Sequence, residues 1–478
     1  MKRPIVLFFK SRSLIAKNTT PPLGLLYVAA YLRKKLKADV KIIDAMFKKD
    51  PVNSVLKTIR TYSPNALGIS ALTAEAFLAH KVAAAVKNEF PDLPIIFGGP
   101  HPSSNPELVM EDENIDASVI GEGEETFCEV IRVISEEGPY WKTPKTLSKI
   151  DGLVFRGEGL EFSKPRAPIS DLDALPFPAW DLIDYKKFWT RGSMASVGIR
   201  PYLTMFTSRG CPYHCVFCHQ LFGKVFRSRS PENVIDEVKQ ILKMGAGHIE
   251  ILDDISNLDH NRFNGILELM LKDNLHPVLS FPNAIRADIM REDSIDLLKK
   301  VGVGEVSVAV ETASKRLQKL ICKNLDLDKT RRVIEMLAKR RIFTRGFFIM
   351  GFPTETEEEM RSTIRFAHKS PLHLALFFTP NPFRNTKLFD MFKKAGKLPE
   401  NSNSIDFEYY DSAFNASEVS TNRSRFLYRW AYYGFYFNPI RAYRIARDGP
   451  FRLDIPVRAY YLFRNVVEFR RLRENFDE

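Results

Sequence analysis

The sequence predicts an α/β protein with two successive series of βα units and a helical C-terminal region. Three observations support this prediction. Short apolar runs alternate with amphipathic stretches over residues 4–136, a proline-rich segment interrupts them, and six further βα units follow between residues 202 and 379. At 478 residues and 45% apolar content, the chain can form two or three domains, each with its own core.

Residues 1–138 hold the first series. Apolar runs at "PIVLFF", "DVKIID", "ALGIS", "PIIFGG" and "DASVIG" are each followed by a stretch with helical periodicity. Five such units predict an open parallel sheet with helices on both faces, a fold of the Rossmann or flavodoxin type. Ligands of these sheets bind at the carboxyl ends of the strands, here "GISALT" (68–73), "GGPHPS" (98–103) and "GEGEET" (121–126). Their glycines would let a ligand approach the backbone, although tight turns account for them equally well.

Residues 139–200 are predicted to be a proline-rich linker, with one small hairpin around residues 157–159. Residues 201–400 hold the second series, with strands predicted at 202–208, 248–254, 278–282, 305–310, 343–350 and 373–379. The first helix of this series has clear boundaries, because Ser230 and Pro231 suit its start and Gly245 follows its end. Six units predict a partial barrel of the TIM type, with the working residues at the C-terminal ends of its strands.

The chain shows no sign of export or membrane insertion. No apolar run reaches the ~18 to 20 residues of a membrane span, and the N-terminal "IVLFF" run lacks the length and cleavage site of a signal peptide. We therefore expect a cytoplasmic protein, a compartment in which structural disulfides are rare. The net charge of +12 would suit nucleic acid, an anionic membrane surface or phosphorylated ligands.

Three of the five cysteines lie within eight residues, in "SRGCPYHCVFCHQ". Cys211, Cys215 and Cys218 follow the first predicted barrel strand, close enough for three thiolates to meet one inorganic centre. Structural zinc sites use four protein ligands and iron–sulfur clusters usually use four cysteines, so three thiolates leave one metal position open for substrate. A zinc site completed by His214 or His219 is the alternative. Cys128 and Cys322 stand alone and are expected to be inert.

These motifs resemble a known family. The pattern C-x3-C-x2-C at the mouth of a six-unit barrel, with Phe217 before the last cysteine, resembles the radical S-adenosylmethionine (SAM) enzymes. The N-terminal unit, with "PPLGLLYVAAYL" (21–32), "GGPHPS" and "GEGEETF", is similar to the cobalamin-binding domain of their cobalamin-dependent branch. The resemblance covers residues 1 to about 390. It implies an enzyme that methylates an unactivated carbon, or otherwise remodels it, and that receives electrons from a donor such as flavodoxin or ferredoxin.

The resemblance also implies roles for individual residues. The three thiolates would hold a 4Fe–4S cluster, whose open iron would chelate the amino and carboxylate groups of SAM, and one electron would release a 5′-deoxyadenosyl radical. The family's usual Gly-Gly-Glu after the second strand is replaced here by Asp253-Asp254, so the acid is one carbon shorter. Any single acid at a strand tip could instead be a helix cap or a surface ion pair. The candidate contacts for SAM are Phe217, Asp253, Asp254, Arg286, Glu311, Gly351 and Pro353.

Cobalamin is the third cofactor that the resemblance implies. The string Asp-x-His-x-x-Gly, whose histidine ligates cobalt in many cobalamin proteins, does not occur here. The lower face of the corrin would therefore meet the loops that follow the first-domain strands, unless the domain is a scaffold that has lost its ligand. The candidate contacts are Ser70, Thr73, Gly98, Gly99, Gly121 and Glu122.

The last part of the chain, residues 401–478, places aromatic residues between arginines. It could be a helical cap that closes the barrel, a basic amphipathic surface for a membrane, or a stacking surface for nucleic acid. Nucleic acid is the least favoured, because the chain lacks the extra N-terminal cysteines of the related RNA methylthiotransferases. Peripheral contact with the inner face of the membrane would suit a hydrophobic substrate, a lipid or a tetrapyrrole. The alternatives to such an enzyme are a non-enzymatic corrin or redox sensor and a radical SAM enzyme that modifies RNA.

Overall fold

The computed structural model describes residues 3–13, 20–196, 200–219, 221–398 and 414–449. Within these residues it contains a seven-stranded sheet, a six-stranded sheet and a short two-stranded sheet. Residues 401–413 and 450–478 of the predicted helical tail lie outside the described residues. Residues 414–449 are the part of this tail that the structure describes.

The seven-stranded sheet comes from the N-terminal part of the chain. Its elements are β1 (Ile5–Lys10), α1 (Leu23–Leu36), β2 (Asp39–Asp44), α2 (Pro51–Tyr62), β3 (Ala66–Ser70), α3 (Ala76–Glu89), β4 (Ile95–Gly98), α4 (Pro100–Ser104), α5 (Pro106–Met110), β5 (Ala117–Val119), α6 (Gly123–Glu137), α7 (Pro144–Leu147), β6 (Leu153–Arg156) and β7 (Leu160–Phe162). The strand order is β2-β1-β3-β4-β5-β6-β7, and β1 to β5 are parallel. The order of the five parallel strands is that of flavodoxin-like folds, which confirms the predicted doubly wound sheet.

The hairpin predicted within the linker forms and joins this first sheet. Strand β6 pairs antiparallel with β5, and β7 pairs antiparallel with β6. Pairing with β6 covers the edge of the short strand β5, which would otherwise present unpaired backbone groups. The first sheet therefore extends beyond residue 138, into the segment that the sequence assigned to the linker.

The second large sheet is the predicted partial barrel. Its elements are β8 (Tyr202–Met205), β9 (Ser208–Arg209), β10 (Arg227–Ser228), α8 (Pro231–Lys243), β11 (His248–Ile251), α9 (His260–Lys272), β12 (Val278–Ile285), α10 (Glu292–Val301), β13 (Glu305–Glu311), α11 (Lys315–Leu320), α12 (Leu327–Lys339), β14 (Thr344–Ile349), α13 (Glu357–Lys369), β15 (Leu374–Phe378) and α14 (Lys387–Lys394). Six parallel strands follow the order β8-β11-β12-β13-β14-β15, so every predicted barrel strand is present. Strands β9 and β10 form a separate antiparallel pair.

Alternation along the strands explains how each sheet is covered. In β1, Val6 and Phe8 pack into the core on one face of the first sheet, and Leu7 and Phe9 pack into the core on the other face. Local signals define the helices: the Ser230 side chain accepts a hydrogen bond from Asn233 N at 3.2 Å and so caps α8, as predicted.

A short segment before β8 packs against the polar interior of the barrel. Glu250 accepts a hydrogen bond from Ala195 N at 3.3 Å, and Glu305 accepts one from Ser196 N at 2.9 Å. Arg345 donates to the Ser196 hydroxyl at 2.8 Å. Glu305 and Arg345 lie at the N-terminal ends of β13 and β14, and Glu250 lies within β11. The segment therefore covers the interior from below and leaves the C-terminal strand ends for ligands.

Two helices from the C-terminal region, α15 (Thr421–Tyr436) and α16 (Pro439–Asp448), complete the described structure. Helix α15 covers the outer edge of β15 with a row of tyrosines. The Tyr432 hydroxyl accepts from Phe377 N at 3.1 Å and donates to Phe377 O at 3.2 Å. The Tyr436 hydroxyl bonds Ala375 N and O in the same way, at 3.2 and 2.9 Å. These hydroxyls satisfy the backbone groups that an edge strand would leave unpaired.

Residues 414–449 thus behave as the helical cap that the sequence suggested for this region. Leu427, Ala431 and Phe435 are buried in the same core as the helices of the barrel. None of the helices in the described part of the chain is long and apolar enough to span a membrane.

Candidate active site

The three cysteines lie on the loop between β9 and β10. Gly210 begins this loop with a φ of 84°, and a Cβ there would lie only 2.2 Å from Val225 O, so the turn requires glycine. Two bonds from Val216 fix the loop to later elements: its N–H donates to Ile321 O at 3.0 Å, and its carbonyl accepts from Leu388 N at 2.9 Å. The loop is therefore held between the ends of α11 and α14.

The thiols of this loop influence one another electrostatically. Burial raises the pKa of the Cys211 thiol, and the nearby Cys218 raises it further. Burial also raises the pKa of Cys215, the positive charge of Lys323 opposes that rise, and Cys211 adds to it. Among the residues that the structure describes, no group of three or more His, Cys, Asp or Glu side chains could hold a single metal ion. Cys128 and Cys322 are also free thiols, and their inertness stays a prediction.

The two aspartates that follow β11 have different surroundings. Asp253 is buried, and its carboxylate accepts hydrogen bonds from Thr207 N and from the Ser208 hydroxyl, both at 2.6 Å. Asp254 is exposed and accepts one hydrogen bond, from Gly210 N at 3.1 Å. Asp253 therefore holds the end of β8 in place, while Asp254 leaves carboxylate oxygen lone pairs open beside the cysteine loop.

Arg286, which follows β12, already faces several protein oxygens. Its Nε lies 2.9 Å from a carboxylate oxygen of Asp288, and its Nη atoms donate to Lys323 O at 3.1 Å and Asn324 O at 3.3 Å. The guanidinium stacks on the Tyr213 ring, 3.7 Å from its centroid. Arg286 therefore connects β12, the cysteine loop and the turn after α11.

Glu311 ends β13 with a φ of 64°, a left-handed conformation that costs energy for a residue other than glycine. Its carboxylate Oε1 lies 2.9 Å from Lys323 Nζ. The sequence predicts Glu311 as a site residue and does not predict Lys323, which follows the isolated Cys322. No local pattern in the sequence distinguishes Lys323 from the many other lysines of the chain.

The turn predicted at Gly351 and Pro353 lies after β14. Gly351 has a φ of 109°, and its N–H donates to the carboxylate of Glu355 at 2.6 Å. The same carboxylate accepts from Phe352 N at 3.0 Å, and burial raises the pKa of Glu355 to about 8. The Phe217 ring lies 6.2 Å from the Phe352 ring, which brings the turn next to the cysteine loop. Glu355 was missed by sequence analysis, although it lies within the "IMGFPTET" stretch.

The candidate corrin contacts come together at one edge of the first sheet. We call this surface, at the carboxyl ends of the parallel strands, the first-sheet edge: it consists of the loop after β3, the segment after β4 through α4, and the start of the loop after β5. Ser70 and Gly98 are register partners on adjacent strands. Gly99 has a φ of 94°, and a Cβ on it would lie 3.0 Å from Ser70 Oγ. Thr73 Oγ1 lies 3.5 Å from Asn105 Nδ2, and Gly121 N donates to Ser103 Oγ at 3.0 Å.

Glu122 faces the barrel instead of the first-sheet edge. It forms ion pairs with Arg227 at 2.8 Å and Arg209 at 3.3 Å, and it accepts from Ile169 N at 2.7 Å. Glu124 pairs with Arg209 at 2.6 Å. All four charged side chains are buried, so both carboxylate oxygens of Glu122 are already occupied in a domain interface.

A hydrogen bond joins the first-sheet edge to the cysteine loop. The His219 Nδ1 atom lies 2.7 Å from the Ser104 hydroxyl, and the His219 ring packs 4.3 Å from the Phe383 ring. Burial lowers the pKa of His219. His219, which the sequence offered as a zinc ligand, therefore bridges the two domains next to Cys218.

Comparison with known proteins identifies both domains. Residues 205–367 match the family model of the radical SAM superfamily, and residues 14–131 match the B12 binding domain. The chain is 32% identical over 430 residues to the uncharacterized methyltransferase PH0819 of Pyrococcus horikoshii, a match that covers 89% of this chain and 90% of that relative. The chain belongs to the radical SAM superfamily. Its B12 binding domain places this radical SAM enzyme in the cobalamin-dependent branch.

More distant relatives share the arrangement. The radical SAM chain is 28% identical over 399 residues to the anaerobic magnesium-protoporphyrin IX monomethyl ester cyclase of Rubrivivax gelatinosus, covering 82% of this chain and 68% of the cyclase. Its fold matches the radical SAM methyltransferase TsrM of Kitasatospora setae with a TM-score of 0.68 and 18% identity, covering 83% and 76% of the two chains. It also matches the cobalamin-dependent radical enzyme OxsB with a TM-score of 0.66 and 21% identity, over 82% of this chain and 55% of OxsB.

These matches confirm the family, the fold class and the enzyme class that the sequence predicted. They also confirm the cofactors: a 4Fe–4S cluster and SAM for the radical SAM domain, and cobalamin for the B12 binding domain. The residues present suit these groups. One loop supplies three thiols, and at the first-sheet edge a Cβ on Gly121 would meet no atom within 4 Å, which leaves open space there for a ligand.

Proposed function

We propose that this radical SAM enzyme transfers a methyl group to an unactivated carbon of a hydrophobic small molecule. The main support is the 2.7 Å hydrogen bond between His219 and Ser104, because it brings the cysteine loop and the first-sheet edge side by side. Methyl transfer between two cofactors requires their sites to share one cavity. The methyltransferase relative PH0819 supports the same reaction class.

In this proposal, Cys211, Cys215 and Cys218 ligate three irons of the cluster. Bound together, the cofactors supply a methyl group from SAM, a carrier for it in cobalamin and a carbon-centred radical that can abstract hydrogen from the substrate. Asp254 offers open carboxylate lone pairs beside the cysteines. The turn at Gly351 and Pro353 receives the adenine in this proposal, because Glu355 holds the turn and the Phe217–Phe352 contact brings it next to the cysteine loop.

The first-sheet edge receives the corrin in this proposal. Ser70 and Thr73 offer hydroxyls, and Gly98, Gly99 and Gly121 allow the ring to approach the backbone. Glu122 contributes indirectly, since its ion pairs hold the edge against the barrel. An electron donor such as flavodoxin or ferredoxin supplies the electrons.

The test is transfer of an isotopic label. Reduced protein loaded with cluster and cobalamin is incubated anaerobically with methyl-deuterated SAM and an extract from cells that lack the gene. We expect the deuterated methyl group on a carbon of one extract component. Label found only on cobalamin or on no carbon of the extract would contradict methyl transfer.

The exposed face of α15 and α16 supports a hydrophobic substrate delivered at a membrane surface. Large apolar side chains on these helices are exposed, and Arg425 and Arg429 of α15 are exposed as well. Aromatic rings in the interface and cations at anionic headgroups are the features of peripheral membrane helices. We call this surface the tail face; its exposed apolar members are Phe426, Tyr433, Phe437, Ile440 and Tyr443.

We expect the protein to float with anionic vesicles at low salt. Replacing Phe437 and Ile440 with serine should abolish flotation, because both side chains are more than 60% exposed and have no role in the core. The matched control is Tyr140→Ser, since Tyr140 is 76% exposed on the first domain. Binding should weaken at 1 M salt, where the Debye length falls to ~3 Å. Recovery of the unmodified protein in the unbound fraction at low salt would contradict membrane contact.

A further inference from the structure

Helices α11 and α14 cover one side of the cysteine loop. Val216, which lies between two of the cysteines, accepts from Leu388 N at 2.9 Å and donates to Ile321 O at 3.0 Å. Leu388 and Phe392 of α14 and Leu317 of α11 are buried in one apolar cluster with it. The inward faces of both helices therefore pack directly behind the cysteines.

The outward face of α14 is basic. With 3.6 residues per turn, the lysines of this helix lie on the side opposite Leu388 and Phe392, and Asp390 is its one acidic residue. Helix α11 adds the exposed Lys315 and Lys319. We call the outward surface of α14 and the turn after it the α14 face; its exposed lysines are Lys387, Lys393, Lys394 and Lys397. Within the described part of the chain, none of these four lysines forms an ion pair.

The other sides of the cysteine loop face the two cofactor-binding surfaces. His219 Nδ1 lies 2.7 Å from the Ser104 hydroxyl, on the side of the first-sheet edge. Gly210 N donates to the Asp254 carboxylate at 3.1 Å, on the side of the barrel. In the proposed function, cobalamin and SAM occupy these two sides. The side of α11 and α14 is then the one from which a protein can approach the cluster.

Charge and composition indicate what kind of partner fits the α14 face. Electron-transfer complexes have small, transient interfaces, and complementary charge guides the encounter of the two proteins. A lysine-rich surface over the cysteine loop therefore suits a redox protein with an acidic surface. Among the exposed large apolar side chains of the described residues, none lies on α14. The α14 face thus lacks the inserted rings of a membrane-binding helix, which the tail face has.

We propose that the α14 face is the docking surface of the electron donor, a redox protein that presents acidic residues around its own cofactor. This inference rests on the proposed function and assigns a surface to its donor. With a flavin donor, one electron passes from the anionic hydroquinone, which becomes the neutral semiquinone, to the oxidised cluster, which is reduced by one electron. No proton is transferred in this step, and no covalent bond forms or breaks.

The experiment measures the rate at which an acidic flavodoxin, in its hydroquinone form, reduces the cluster in an anaerobic stopped-flow instrument. The full chain loaded with cluster is compared with Lys393→Glu/Lys394→Glu and with Lys393→Gln/Lys394→Gln. The matched control is Lys299→Glu/Lys300→Glu, because these two exposed lysines lie in the last turn of α10, as Lys393 and Lys394 lie in the last turn of α14. Both charge reversals lose the same interaction with a helix dipole. Iron content and reduction by dithionite verify the cluster in each variant.

We expect Lys393→Glu/Lys394→Glu to slow reduction by flavodoxin about 10-fold at low salt, since electrostatic steering raises association rates by about 10- to 1,000-fold. The glutamine pair should give an intermediate rate. The control should react like the unmodified chain, and dithionite should reduce all four proteins alike. The difference should shrink at 1 M salt, where the Debye length is ~3 Å.

Two results would overturn the docking surface. One is a flavodoxin rate for Lys393→Glu/Lys394→Glu equal to that of the unmodified chain, and the other is an equal slowing in Lys299→Glu/Lys300→Glu. Failure of dithionite to reduce the cluster of the unmodified chain would instead contradict the proposed function.

Discussion

Replacing Cys211, Cys215 or Cys218 with alanine is expected to abolish cluster binding. Each thiolate would hold a different iron, so loss of one leaves a second open iron on a half-exposed loop. The unmodified protein, purified without oxygen, should carry about four irons and absorb broadly in the visible range. Iron analysis and absorption spectra of the three variants measure the loss.

Cys322→Ala is the control, because Cys322 is a free thiol on the turn after α11. It should retain the iron content of the unmodified protein. Stoichiometric zinc in place of iron would contradict the cluster and restore the zinc alternative that His214 and His219 raised. Equal iron loss in Cys322→Ala would place the cluster ligands elsewhere.

Arg209→Met is expected to destabilise the protein by about 3–5 kcal/mol, because it leaves the buried carboxylate of Glu124 without its cation, while Glu122 keeps its ion pair with Arg227. Arg209 lies 2.6 Å from Glu124 and 3.3 Å from Glu122, and all three side chains are buried. Its guanidinium also lies over the Tyr27 and Phe222 rings. The measurement is the urea midpoint of the first unfolding transition, since the broken contacts join the two domains.

Arg33→Met provides the comparison for this prediction. Arg33 pairs with Asp181 at 2.7 Å, but the two side chains are 42% and 62% exposed. Exposed pairs contribute roughly 0–1 kcal/mol, so this variant should unfold almost like the unmodified protein. Similar urea midpoints for the two variants would mean that the buried network contributes no more than a surface pair.

Local sequence signals predicted the fold because each strand and helix carries its own pattern. The apolar runs from "PIVLFF" to "DASVIG" became β1 to β5, and Ser230 caps α8 as expected. The pairing of β6 with β5 was not predicted, because pairing between distant segments leaves no local periodicity. The sequence shows the tyrosines of α15 only as part of an aromatic stretch. Their hydrogen bonds to β15 could not be predicted, because the partners are backbone groups, which every residue carries.

The candidate site could be predicted where residues close in sequence form it, as in the cysteine loop. It could not be predicted where contacts between distant residues determine which side chains are available to a ligand. Three cysteines within one loop are visible in the sequence. The hydrogen bonds from the Arg286 guanidinium to the backbone of the Lys323 turn are not. Asp253 and Glu122 were selected for their positions after strands, and in the structure their carboxylates already have protein partners. Lys323 was overlooked because only the turn at Cys322 and Asn324 brings it to Glu311.

Reductive cleavage of SAM tests the central claim most directly. Protein reconstituted without oxygen is mixed with excess SAM and a low-potential reductant, and 5′-deoxyadenosine is quantified over time by chromatography and mass spectrometry. An enzyme with the proposed site forms several equivalents of 5′-deoxyadenosine per chain, and Cys215→Ala forms none. No 5′-deoxyadenosine above the Cys215→Ala background, from protein that carries its four irons, would contradict radical SAM chemistry in this chain and leave a redox sensor as the better description.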